Sequence, residues 1–117
     1  MSINGLAHVM LGVTDLEASR AFYCGALGLA VQREAPGFLF LDTGAVTLCL
    51  SEPHATLSEH PGPTEVVLAV DHVRQAYDAL RANGVEFMRE PVNVTGTEWA
   101  ANFRDPDGHL LSVFGPE

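Results

Sequence analysis

FRDPDGHLLSV, residues 103–113, lies without a gap on FLDTGAVTLCL, residues 40–50, at an offset of 63 residues, and this self-match decides the reading of the chain. In each copy an apolar segment runs into an aspartate, turns through a glycine-containing loop and resumes as a second apolar segment, the signature of two strands joined by a tight connection. In the later copy Asp105, Pro106 and Gly108 suit a type I turn. The strand after it is apolar from Leu110 to Phe114 except for Ser112, and the match sets Ser112 on Cys49.

Working outward, the repetition extends over the chain. LAHVMLGV (6–13) and TEVVLAV (64–70) both alternate with the period of a strand. An offset of 57 residues puts His8 on Glu65, with Val9, Leu11 and Val13 on Val66, Leu68 and Val70. A helical pattern follows each strand. In TDLEASRAFYCGALGL (14–29), Thr14 and Glu17 form a capping box, Leu16, Phe22, Tyr23 and Leu27 give an apolar stripe, and Gly28 suits the helix end. In DHVRQAYDALRANG (71–84), Val73, Ala76, Tyr77 and Leu80 recur at helical spacing before Asn83 and Gly84. Three strands are then expected in each half: near 30–34, 37–42 and 45–51, and near 85–90, 98–104 and 109–115, with Pro91 at an edge or bulge.

The prediction is an α+β fold: two βαβββ repeats, about 1–51 and 64–117, in one domain whose curled mixed sheet surrounds a cavity, with helices on the outer face. EPHATLSEHPGP (52–63), with three prolines and no periodicity, reads as a linker or lid carrying exposed His54 and His60.

Totals narrow the function. Fifteen acidic residues against six basic ones, all arginine, give a net charge of −9, which repels phosphate backbones and anionic lipid and argues against nucleic-acid or membrane partners. No apolar run approaches the length of a membrane span. Cys24 and Cys49 have no paired spacing, so free thiols and a cytoplasmic location are expected.

Strand alternation also assigns faces, because odd and even residues point to opposite sides. With the greasier parity given to the helix, the cavity receives His8, Met10 and Gly12; Thr47, Cys49 and Ser51; Glu65, Val67 and Ala69; and Glu98, Ala100 and Asn102. Trp99, Ala101 and Phe103 go to the core. The last strand is apolar on both faces, and only Ser112, through its match to Cys49, is assigned to the cavity. His109, at the turn, is expected to be exposed. His8, Cys49, Glu65 and Ser112 thus occupy four repeat-related positions, three of them residue types that ligate first-row metals.

The paired βαβββ pattern, HVMLGVTDLEASRAFYCGALGL (8–29) and FRDPDGHLLSVFG (103–115) resemble the vicinal oxygen chelate superfamily, which includes glyoxalase I, extradiol dioxygenases, fosfomycin resistance transferases and bleomycin resistance proteins. TLCLSEP (47–53) is similar to the corresponding strand of the fosfomycin resistance proteins. The resemblance implies a metal held by a first-strand histidine, a fifth-strand histidine or glutamine and an eighth-strand glutamate, with a fourth-strand acid in glyoxalase I. Here His8 matches the first, Glu65 stands at the fifth, Ser112 replaces the eighth-strand glutamate and Cys49 occupies the fourth.

Two functions follow. The first is metal-free binding of a small organic ligand, resembling bleomycin resistance proteins, by His8, Met10, Thr47, Cys49, Glu65, Glu98, Asn102 and Ser112. The alternative is a divalent-metal-dependent lyase, isomerase, thiol transferase or dioxygenase whose metal is held by His8, Glu65 and Cys49. The first expects no cofactor. Under both, the resemblance and the open sheet edges imply a homodimer.

Overall fold

The computed structural model describes residues 1, 4, 6–53 and 64–117, which fall into two compact units, Met1–Glu59 and His60–Glu117. His54, His60 and nearly all of the expected linker lie outside the described residues.

In the first unit, β1 (His8–Gly12) is followed by α1 (Leu16–Arg20), a π-helical extension (Ala21–Ala26), β2 (Ala30–Ala35), β3 (Phe38–Asp42) and β4 (Thr47–Ser51). The strands form one mixed sheet in the order β1-β4-β3-β2, with β1 parallel to β4 and the other pairs antiparallel. A parallel pair needs a crossover, which the helix and the β2–β3 hairpin supply. The helix starts one residue later than the capping box implies. Asp15, not Thr14, is the N-cap, and its carboxylate accepts from the N–H groups of Glu17 (3.0 Å) and Ala18 (3.2 Å). A carboxylate both accepts these bonds and neutralises the positive helix end, which a hydroxyl does not. Leu11, Val13, Tyr23, Leu39, Leu41, Leu48 and Leu50 are buried as the core of this unit.

The second unit repeats the plan. β5 (Glu65–Ala69) leads into α2 (Val73–Ala82), then β6 (Val92–Asn93), β7 (Trp99–Arg104) and β8 (Leu110–Gly115), in the sheet order β5-β8-β7-β6 with β5 parallel to β8. As the helical spacing predicts, α2 turns Val73 fully into the core and half-buries Ala76, Tyr77 and Leu80. Tyr77 meets Phe87 edge-on at 4.7 Å and Phe87 meets Phe103 at 5.1 Å. Phe103 is fully buried, which contributes about 2–3 kcal/mol. The expected strand at 85–90 does not form. That segment keeps one bridge, Phe87 to Phe103, and the bond from Met88 N–H to the Asn102 carbonyl (2.9 Å), and pairing resumes only at Val92. Proline at 91 has no N–H to offer a ladder, so the strand is interrupted and restarts beyond it.

The repeat is visible in the register. His8 faces Thr47 and Met10 faces Cys49 in the first parallel pair; Glu65 faces Leu110 and Val67 faces Ser112 in the second. The correspondences His8 to Glu65 and Cys49 to Ser112 therefore hold strand for strand. The gapless match between the hairpins does not. Cys49 pairs with Phe40, but Ser112 pairs with Asn102, not Phe103. The second connection is one residue longer, so Phe103 corresponds to Leu41, both fully buried, and Asn102 corresponds to Phe40. A one-residue slip exchanges the two faces of a strand, so the difference decides which side chain reaches the site.

That longer connection is built around Asp105, which is 6% exposed. Its carboxylate accepts from Asp107 N–H (3.0 Å) and His109 N–H (2.7 Å), and its own N–H donates to the His109 carbonyl (3.0 Å). Gly108, at φ +87°, takes the left-handed conformation the turn requires. Drawn into this turn, His109 is half-buried and not exposed as its position after Gly108 suggests.

Candidate functional site

On the face of the second sheet turned away from α2 lies a pocket of about 310 Å³, within the range typical of small-molecule sites. Glu65 and Val67 of β5, Ala100 and Asn102 of β7, and Ser112 and Phe114 of β8 form one side, all at the parity opposite to buried Ala101, Phe103, Leu111 and Val113. Arg89, Val92 and Val94 complete it from the segment between α2 and β7. Val67 and Val94 are each 55% exposed, so apolar surface lies open to water here.

The polar groups are few and ordered. Asn102 donates from Nδ2 to Oε1 of Glu65 at 3.1 Å, which orients the carboxylate. Ser112 is almost fully buried and lines the pocket. Glu98 is placed elsewhere. It precedes β7 in a hairpin where Thr95 donates to its carboxylate (3.1 Å) and its N–H donates to the Thr95 hydroxyl (3.0 Å), and it is not among the lining residues. Trp99 goes to the opposite face, half-buried, with the Arg74 guanidinium of α2 over its ring at 5.0 Å.

His8, Met10, Thr47 and Cys49 belong to the first unit, on β1 and β4. His8 is exposed and meets Phe40 edge-on, with ring centroids 6.1 Å apart. Thr47 donates to Oε1 of Gln32 at 2.9 Å. Cys49 is fully buried between Met10 and Phe40, and burial pushes its thiol above the ordinary range against a smaller opposing pull from Arg33. Arg33 itself lies over the Phe40 ring, 4.0 Å from its centre.

These donors do not suit the divalent metal that the resemblance implies. Burial favours the neutral form of Cys49, whereas the metal ligand is the thiolate. Ser112 offers a neutral hydroxyl where the resembling enzymes have a carboxylate, and one Glu65 oxygen is committed to Asn102. Among the described residues no three His, Cys, Asp or Glu side chains gather into a metal-binding group.

Sequence reasoning missed Arg89, Val92, Val94 and Phe114. Phe114 was within reach, because it shares the parity of Ser112 two residues earlier. The other three were not, since Arg89 and Val94 lie outside the strands and Val92 sits in a strand of two residues, too short for alternation to show.

A family model described as the Glyoxalase/Bleomycin resistance protein/Dioxygenase superfamily matches residues 5–113. A lactoylglutathione lyase of Salmonella typhimurium is 30% identical over 121 residues, covering 92% of this chain and 90% of its own. Among solved structures, an antibiotic binding protein from Streptomyces sp. CB03234, TnmS3, superposes with a TM-score of 0.83 at 25% identity over 100% of this chain and 99% of its own. A glyoxalase/bleomycin resistance protein/dioxygenase from Nocardioides does so with a TM-score of 0.82 at 28% identity, over 99% and 85%.

Proposed function

The chain belongs to the glyoxalase/bleomycin resistance protein/dioxygenase superfamily, and we propose that within it this protein binds a small organic ligand in the pocket of the second module without a metal. The observation that carries this reading is the pocket itself: open valine and phenylalanine walls around Ser112, at the strand position where the resembling enzymes place a metal-binding glutamate. A hydroxyl and an amide-tethered carboxylate orient a ligand but make a poor ion shell. The antibiotic-binding relative supports sequestration as the role. Free cysteines support a cytoplasmic protein, and the edge strands of each sheet support assembly as a homodimer.

The lyase relatives favour a second reading, a divalent-metal-dependent enzyme, in which His8, Glu65 and Cys49 would hold the ion. Elemental analysis of the purified protein, followed by titration with Mn, Fe, Co, Ni and Zn, separates the two. The binding reading expects no stoichiometric metal, and expects Ser112→Glu to raise metal affinity only if one missing ligand is the whole deficit. Stoichiometric metal that is lost in His8→Ala overturns the metal-free reading.

A further inference from the structure

We infer that the pocket of the second module selects apolar molecules carrying both an ammonium and a carboxylate group; this rests on the binding reading above and specifies its ligand. The inference starts from the six arginines. Arg20 pairs with Glu34, Arg33 covers Phe40, Arg74 bonds Glu117 at 2.6 Å, Arg81 lies 5.1 Å from the Tyr77 ring centre, and Arg104 donates to the Gly108 carbonyl at 2.8 Å. Arg89 has no such partner among the described residues, in a chain of net charge −9 where carboxylates are plentiful, and it lines the pocket. A guanidinium presents donors in a planar fork that matches a carboxylate.

Glu65 lines the same pocket, and it forms no ion pair with Arg89. One of its oxygens accepts from Asn102, so the carboxylate is oriented and keeps its second oxygen for a donor. Two opposite charges in one pocket that do not neutralise each other leave each free for a complementary group. The surface shared with them is apolar, from Val67, Val92 and Phe114. A ligand with only an anion leaves Glu65 unmatched, and one with only a cation leaves Arg89 unmatched. An amphoteric ligand with an apolar body satisfies both charges and covers the walls. Asn102 is then a positioning residue, acting through Glu65.

The test uses the full chain and four probes with one aromatic body: para-(aminomethyl)phenylacetate, para-tolylacetate, para-methylbenzylamine and para-xylene. Binding is followed by NMR shifts of the Asn102 side-chain amide and the Ser112 backbone. The expected order puts the zwitterion about tenfold tighter than either singly charged probe, the worth of one charge-assisted contact. Arg89→Gln is expected to remove the advantage over the amine, and Glu65→Gln the advantage over the acid; both side chains are exposed, so neither change strains the fold. Asn102→Ala should weaken the zwitterion and the amine while leaving the acid unchanged. A zwitterion no tighter than para-xylene overturns the charge assignment while leaving ligand binding in place. No binding of any probe overturns the pocket as a ligand site, and this inference with it.

Discussion

Replacing Asp105 by alanine tests whether the turn that identifies the fold also holds it together. The carboxylate is buried and accepts two backbone N–H groups, from Asp107 at 3.0 Å and His109 at 2.7 Å. Bonds to a charged acceptor are each worth about 1.5–3 kcal/mol, and truncation also leaves the N–H donors without a partner. The turn is partly solvated, which lets water recover some of that loss, so the lower end applies and the expected cost is about 3 kcal/mol. At about 4 °C per kcal/mol for a chain of this size, the midpoint falls by about 12 °C. Asp105→Asn retains one side-chain oxygen as an acceptor without the charge and should cost about 1 kcal/mol. Arg104→Ala removes only an exposed bond to the Gly108 carbonyl and should cost about 0.5 kcal/mol. Urea unfolding followed by circular dichroism, with unchanged m-values, gives the three numbers. If Asp105→Ala lies within about 1 kcal/mol of the parent, or if alanine and asparagine are equivalent, the carboxylate is not what organises the connection.

Two further outcomes follow from single residues. At the end of β8, a Cβ on Gly115 would overlap the Val70 carbonyl oxygen, so Gly115→Ala is expected to destabilise by about 2 kcal/mol or more in the same urea assay, while an equal or higher midpoint would mean that the strand ends are free to move apart. Burial raises the Cys49 thiol, so its neutral form favours folding: this contribution is complete below the ordinary thiol value of about 8.5 and is lost as the pH rises through the folded value. Stability of the parent should therefore fall at alkaline pH more steeply than that of Cys49→Ala, and parallel pH profiles would show that Cys49 is not the group responsible.

What the sequence disclosed and what it hid divide along a physical line. Alternation and helical spacing located β1, β5 and α2 because one face of each is more buried than the other and the pattern records it, as at Val73, Ala76, Tyr77 and Leu80. The repeat fixed Cys49 against Ser112 because both lie in strands whose parallel partners have the same register. It wrongly set Phe103 on Phe40, because a gapless match cannot see one extra residue in a hairpin, whereas strand alternation alone assigns Phe103 to the core and Asn102 to the cavity, as the structure has them. The Asn102 contact that orients Glu65 was accordingly legible as a shared face and illegible as a hydrogen bond. Arg89 could not be placed at all, since the strand expected around it is broken by Pro91 and a residue outside a ladder has no face to read.

The corrected register also explains why equivalent faces of the two modules differ. In the first, the antiparallel pair Phe38 and Ser51 sets a ring beside a small residue, and in the second the equivalent pair, Ala100 and Phe114, reverses the sizes. The next pair inward is Phe40 and Cys49 in one module and Asn102 and Ser112 in the other. In the first module the Phe40 ring is stacked 6.3 Å from Phe38, met by His8 and covered by Arg33, so that its own side chains cover this ring. In the second, the amide at the Phe40 position is shorter and reaches Glu65, while Phe114 has moved to the neighbouring strand, leaving a pocket between them. Exchanging volume across one strand pair thus keeps the number of rings in that pair constant while opening one copy of the repeat. Because Phe38, Ser51, Ala100 and Phe114 alternate with buried Leu39, Leu50, Ala101 and Val113, the exchange falls on the face opposite the helix-facing core, which stays buried in both modules, and one repeat can acquire a binding face without loss of its fold.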